Sequence, residues 1–419
     1  MNRIMLRPSQ ANDENVDPNP KGKSQQISER GQRDQIDGLT EQSTRRNRAR
    51  RALGVISDST LNSRTSEQKR SIFQDPRSKI AVLKETEEGE DEDEEQSGNE
   101  VIDDEDIVDE EDDYSQDFDF SPMSPIMNQE IYNDIEKAYK KYSMNSLDPN
   151  DEDTYDITMV AEYGAQIFNY MHKLEIEFAP NPRYMEDVQS ELLWEHRATL
   201  MDWLVQLHSR FNLLPETLYL AVNVIDRFLS KQAISLSRFQ LCGAVALFIA
   251  AKYEEINVPT VSQMIYMVGN QFSAAEFLKA ERFMVEALGF EFGYPGPMSF
   301  LRRGSKADDY DSEIRTVAKY FLEITIMDPR LVASPVSWLA AGAQYTSRKM
   351  LGRGSWTDAH VYYSGYTADQ LAPLYDMLVD CCLKYKTHHK AIFDKYSERR
   401  FKRSSIYVQE YLRTYYSTD

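Results

Sequence analysis

From Tyr155 onward apolar residues return three and four positions apart, and the alternation typical of strands is scarce. This spacing predicts helices over Ile157–Leu174, Gln189–Phe211, Pro215–Ser230, Ser237–Glu254 and Thr260–Val268. Further helices are expected over Ser273–Leu288, Asp311–Met327, Pro335–Met350 and Thr367–Lys386. The punctuation agrees with the periodicity. Pro215 stands in a favourable first turn. Ser273 with Glu276 three residues on makes a capping box, and Gly289 stops that helix. Residues 1–153 lack such periodicity and are rich in Ser, Asn, Gln, Asp, Glu and Arg. A segment of that kind cannot bury enough apolar surface to offset its ordering entropy, so a disordered tail is expected there.

The helical part repeats itself at an offset of 94 residues. SAAEF at Ser273 meets TADQL at Thr367, and Val285 and Leu288 then meet Val379 and Cys382. At the same offset the small-residue stretch Leu241–Ala251 meets Pro335–Tyr345. Two similar all-helical domains in tandem account for this register.

Charge refines the picture of the tail. The net charge of −21 comes largely from 19 acids between Glu85 and Asp113, a run without Lys or Arg. Met1–Lys84 is basic, at +7, and Tyr114–Asp419 is mildly acidic, at −9. A general nucleic-acid binder is therefore not expected. Three cysteines, two of them adjacent, do not make a disulfide framework and fit a reducing compartment. The longest apolar run has eleven residues, where a membrane span needs about 20, so a soluble intracellular protein is expected. The start, MNRIMLRPSQ, lacks the apolar core of a secretory signal.

No catalytic constellation emerges. The six histidines, His172, His196, His208, His360, His388 and His389, show no metal-ligand spacing with acids or cysteines. Gly352-Arg353-Gly354 is too short for a phosphate loop. Neither metal nor cofactor is expected, and a binding module rather than an enzyme is the reading that follows.

Several long motifs give that module a family. HRATLMDWLVQLHSRFNLLPETLYLAVNVIDRFLS (His196–Ser230) and the stretch through Leu241–Ile256 resemble the first half of a cyclin box. FLRRGSKADDYDSEIRTVAKYFLEI (Phe300–Ile324) resembles the opening of the second box in B-type cyclins, and KYSERRFKRSSIYVQ (Lys395–Gln409) the end of that class. Fungal mitotic cyclins are the most similar. The resemblance implies an all-α cyclin fold of two tandem five-helix repeats, over 154–293 and 294–419, behind the tail. It also implies a regulatory subunit that binds and activates a cyclin-dependent kinase at the G2/M transition. A cyclin-fold transcription-associated protein is the rival reading. The unclustered cysteines and the acidic helical part speak against its zinc-ribbon, DNA-binding form.

The resemblance carries residues with it. Lys252 and Glu281 match the pair that hydrogen-bonds the kinase helix, with Ile249, Tyr253, Phe290 and Phe292 as apolar interface positions around them. Arg197 and Asp226 match a structural buried ion pair. His196, Leu200 and Trp203 fall at i, i+4 and i+7 on one helical face. With Gln206 and Gln240 they match the exposed patch that takes Arg-x-Leu motifs of substrates or inhibitors. Here His196 replaces the usual Met and Thr199 the usual β-branched aliphatic residue, which makes that groove more polar. In the tail, RRALGVISD (Arg50–Asp58) resembles a destruction box read by the anaphase-promoting ubiquitin ligase, with Arg50, Leu53, Gly54 and Ile56 as its matching positions. Ser121-Pro122 and Ser124-Pro125 are minimal sites for a proline-directed kinase. The basic cluster Arg45–Arg51 fits a nuclear import signal. Residence in nucleus and cytoplasm, nuclear or spindle-associated during mitosis, is the expectation.

Overall fold

The computed structural model describes residues 121–143 and 151–416, Thr158 excepted. Among the described residues all regular structure is helical. Two helices of several turns precede the repeats, α1 (Gln129–Tyr142) and α2 (Gly164–Glu177), with single turns at Glu152–Tyr155 and Tyr184–Asp187. The first repeat comprises α3 (Trp194–Phe211), α4 (Pro215–Leu229), α5 (Phe239–Glu254), α6 (Val261–Met267) and α7 (Ala274–Ala287). The second comprises α8 (Pro297–Gly304), α9 (Ser312–Thr325), α10 (Val336–Met350), α11 (Asp358–Ser364) and α12 (Ala368–Leu383). Two further helices, α13 (Lys390–Tyr396) and α14 (Ser404–Tyr416), fold back as an extension.

Each repeat is organised around its third helix. From Leu241 to Ala251 every residue of α5 is buried. Its small residues let neighbours come close: a Cβ on Gly243 would meet Leu200 at 2.8 Å, and one on Gly342 of α10 would meet Leu374 of α12 at 2.2 Å. The stretches matched at the 94-residue offset are thus the central helices of the two repeats. The Ser273–Glu276 capping box forms as expected, with the Glu276 carboxylate accepting the Ser273 N–H at 2.9 Å.

The helix expected over Ile157–Leu174 begins only at Gly164 and runs to Glu177, and two further boundaries differ from the periodicity. Gln189–Leu193 does not join α3. The Gln189 amide instead donates to the carbonyls of Leu229 and Gln232, and its Oε1 accepts the Ile234 N–H. A long polar side chain satisfying three backbone groups holds that stretch as a loop. Second, α1 lies inside the span assigned to the tail. Asn128 caps it through the Ile131 N–H at 2.8 Å, and only Ile131 and Ala138 are buried. So short an apolar stripe is hidden among Lys, Glu and Asn. The strap before α1 is tied to the second repeat: Met123 N–H donates to the Arg330 carbonyl, Ser334 to the Met123 carbonyl, and Gln370 to the Ile126 carbonyl.

Candidate functional site

The C-terminal end of α5 and the middle of α7 meet at an ion pair. Lys252 Nζ lies 2.5 Å from Glu281 Oε1 and 4.3 Å from the Phe248 ring centroid. Lys252 stands in the last turn of α5, where the helix dipole favours a cation. Its side chain is 46% exposed and that of Glu281 is 13% exposed, so the pair faces outward from a packed wall.

Apolar side chains that a core would hide stand at or just beyond the ends of the two helices that carry this pair. Phe290 is 74% exposed, Tyr253 56% and Ile256 98%. Phe290 follows Gly289, and both have positive φ, +64° and +67°. A left-handed phenylalanine is sterically unfavourable, and the turn is closed by Phe290 N–H donating to the Val285 carbonyl at 3.1 Å. The Tyr253 and Phe292 rings lie 6.3 Å apart, Phe292 half-buried. Ile249 does not belong to this surface. It is 5% exposed, because it lies on a central helix packed on every side. Ile256 takes a place that the motif comparison missed. Its signal was an isoleucine between Glu255 and Asn257, beyond the end of a helix. Glu255 pins this corner by accepting the Leu214 N–H and the Thr217 hydroxyl, both at 2.6 Å, at the start of α4.

Beneath the surface, the expected pair of Arg197 and Asp226 forms. The guanidinium donates twice to the carboxylate, at 2.8 Å each, and both side chains are buried. Burial opposes the Arg197 charge, but the Asp226 carboxylate outweighs it and holds the guanidinium above its ordinary pKa. Tyr184 donates a third bond to Asp226 at 2.9 Å. The remaining arm of Arg197 donates to the Ile326 carbonyl at 2.8 Å, so the pair ties α3 and α4 to the end of α9. Sequence reading gave the pair but not this bridge between the repeats.

The proposed docking face on α3 is less open than its spacing implies. Leu200 is 5% exposed, because its branch fills the space above Gly243. His196 is turned inward on its own helix, Nδ1 accepting the Leu193 N–H at 3.0 Å as a cap. Trp203 and Gln240 are half-buried, and exposed Gln206 donates to Asp202 at 2.9 Å. What remains for a ligand is the flank of Trp203 with two glutamines.

The histidines keep company that their spacing hid. Asp328, Cys381 and His388 converge, with ligand atoms within 4.8 Å of one another. The Asp328 carboxylate is already held by two bonds from Arg330, at 2.7 and 2.9 Å. Adjacent His388 and His389 touch through their Nδ1 atoms at 3.0 Å, because His389 has left helical geometry. The thiols of Cys242, Cys381 and Cys382 are pushed up by burial, which leaves them protonated and inert. Ser121 and Ser124 are exposed on the strap before α1. The destruction-box positions Arg50, Leu53, Gly54 and Ile56, and the acidic run 85–113, lie outside the described residues. No helix among the described residues is long and apolar enough to cross a membrane.

Residues 166–293 match the family model of the cyclin N-terminal domain, and residues 295–410 that of the cyclin C-terminal domain. The chain belongs to the cyclin family. Among its relatives are G2/mitotic-specific cyclin-4 of Candida albicans, 65% identical over 70% of this chain, and cyclin-4 of Saccharomyces cerevisiae, 50% identical over 71%. G2/mitotic-specific cyclin-3 of Saccharomyces cerevisiae is 52% identical over 69% of the chain and 68% of its own length. The matches span 60% and 64% of the first two relatives. With these relatives, this cyclin stands with the mitotic B type, as its motifs imply, and its two helical repeats are the two cyclin domains.

Proposed function

We propose that this cyclin is the regulatory subunit of a cyclin-dependent Ser/Thr kinase, acting at the G2/M transition and in mitosis. It supplies no catalytic group; the chemistry is the kinase's. One observation carries the reading: an outward Lys252–Glu281 pair, with exposed Tyr253, Phe290 and Ile256 at or just beyond the ends of the same two helices. Exposed aromatics around a charged anchor are the composition of an interface centre. A lysine only donates and a carboxylate only accepts. The pair can therefore open toward a partner and satisfy backbone carbonyls and N–H groups at a kinase helix end. Fixing that helix lets the kinase form its own Lys–Glu ion pair around ATP. The Arg197–Asp226 pair keeps the supporting helices in register.

In the same reading, Arg50–Asp58 hands the protein to the anaphase-promoting ubiquitin ligase, and Arg45–Arg51 directs it to the nucleus. The Trp203 flank receives Arg-x-Leu segments of substrates or inhibitors. Neither nucleic acid nor membrane is a partner. Affinity purification from dividing cells, followed by a kinase assay on the eluate, tests the main claim. A co-purifying kinase, lost from a folded Lys252→Ala, Glu281→Ala double variant, is expected. Retention of full kinase activity by that variant would remove the pair from the interface. For the tail, changing Arg50 and Leu53 to Ala should leave the protein present after mitotic exit; disappearance on schedule would contradict the destruction box.

A further inference from the structure

Asp328, Cys381 and His388 reach one point from three places in the fold. Asp328 follows the end of α9, Cys381 lies in the last turn of α12, and His388 ends a single turn, Tyr385–His388, that leads into α13. Cys381 Sγ lies 3.7 Å from Asp328 Oδ2, and His388 Nε2 lies 4.0 Å from the same oxygen. All three ligand atoms fall within 4.8 Å of one another. Asp328 and Cys381 are buried, while the His388 side chain is 23% exposed, which leaves a way in from solvent. At 4.0 Å the imidazole is too far from the carboxylate for a hydrogen bond. Its other nitrogen is occupied. His388 Nδ1 meets His389 Nδ1 at 3.0 Å, and His389 Nε2 meets the Tyr320 hydroxyl at 3.0 Å. These contacts hold the ring with Nε2 on the side of the carboxylate.

We propose that Asp328, Cys381 and His388 form a site for a zinc ion, with water in the fourth position. Zinc takes thiolate, imidazole and carboxylate ligands at about 2.0–2.3 Å, which in a tetrahedron sets them roughly 3.3–3.6 Å apart. The separations of 3.7 and 4.0 Å are a small side-chain adjustment away from that. A zinc-bound histidine ordinarily donates its other N–H to a neighbouring acceptor, and His389 Nδ1 stands in that place. Arg330 secures the carboxylate in the same manner, at 2.7 and 2.9 Å. Oδ2 accepts one of these bonds and keeps a lone pair for the metal. Arg330 and Lys384 are the cations that face His388, and Asp380, 3.5 Å from Lys384, offsets the second. The Cys381 thiol is protonated, so the entering metal displaces its proton to water as the Zn–S bond forms. A hard cation such as Mg²⁺ gains little from a thiolate and an imidazole. Occupancy joins the link before α13 to the end of α9. Because the Ala391 N–H of α13 donates to Asp202 of α3 at 2.9 Å, zinc fastens the C-terminal extension across both repeats.

Titration of the full chain, stripped of metal, with Co²⁺ as a spectroscopic stand-in for zinc tests the site. One equivalent should raise a thiolate-to-cobalt charge-transfer band together with the strong visible bands of tetrahedral cobalt. Zn²⁺ should abolish both, and Mg²⁺ should not. Cys381→Ser should lose the charge-transfer band. His388→Gln should weaken binding by more than the roughly tenfold that a lost outer-shell partner costs. Cys242→Ala and His172→Gln, which change residues of α5 and α2, should bind as the wild type does. If Cys381→Ser does not fold by circular dichroism, His388→Gln decides, since its side chain is partly exposed. The acidic run between Glu85 and Asp113 holds neither Cys nor His, so cations bound there give no such band. A wild type without the charge-transfer band overturns the proposal. So does a band that keeps its full strength and affinity in both ligand variants, or one that disappears in folded Cys242→Ala.

Discussion

Each of the three guanidinium nitrogens of Arg197 donates once, to three acceptors in two repeats. Removing one partner of a buried pair leaves the other charge uncompensated, at a cost of about 3–5 kcal/mol. Arg197→Ala should lower the urea midpoint accordingly. Tyr184→Phe, which removes one bond to the same carboxylate, should cost about 1–3 kcal/mol. Equal, negligible shifts in both would contradict the network. The histidines set the pH response. His389 is fully buried, and burial first, then the neighbouring His388, hold its pKa well below the ordinary value. His208 is lowered by burial and by Lys395. The unfolded chain thus takes up protons first, once pH falls below about 6.5. Stability is fully present above that pH and declines as pH falls toward the lower folded values. His389→Gln should flatten this decline between about pH 6.5 and 5.5 in denaturation midpoints. An unchanged slope would show that His389 contributes nothing to it. At this scale sequence motifs gave identities well and exposure poorly. Arg197 and Asp226 form a buried pair as the resemblance implied, and Lys252 and Glu281 meet in an outward ion pair. Ile249 and Leu200 sank into the core because a single helix pattern cannot say how many neighbours will pack on it.

At the scale of the element, capping chemistry was legible wherever it was local. Ser273–Glu276 closed its box because both partners lie within one turn. Gln189 was misread because its three bonds reach residues some forty positions away. The short helices α8, α11 and α13 carry too few turns for a period to show. Helix α1 escaped for a different reason: beside its strap and cap it is held by a narrow seam against α11, with the Tyr139 and Tyr142 rings on Tyr362 and Lys141 on Asp358, rather than by a wide apolar face. Its N-cap accounts for about 1 kcal/mol. Asn128→Ala, or Ser334→Ala at the strap, should speed amide exchange in Gln129–Tyr142 by about tenfold or less, while the global melting temperature hardly moves. Exchange unchanged in both would show that α1 is held by something else. The exposed serines Ser121 and Ser124 sit on this strap, so phosphorylation there would add charge beside the contacts that seat α1.

For the whole molecule, the charge of −21 separates into parts with different work. The 19-acid run lies between a basic tail and a helical module at only −9. If its charge matters, replacing it with an equally long Gly/Ser linker should slow destruction at mitotic exit; unchanged timing would show that length suffices. The two repeats were readable because a central small-residue helix recurs in register, and close packing demands it in both. The rest of the site was not readable, because exposure belongs to the assembled surface. The central claim is that this surface, headed by Lys252 and Glu281, binds and switches on a kinase. Titrating the purified full chain into a purified cyclin-dependent kinase, with phosphate transfer as readout, tests it most directly. The wild type should activate saturably, and Lys252→Ala, Glu281→Ala, with an unchanged melting temperature, should need at least tenfold more protein for the same activity. Identical activation curves for the two would contradict the account.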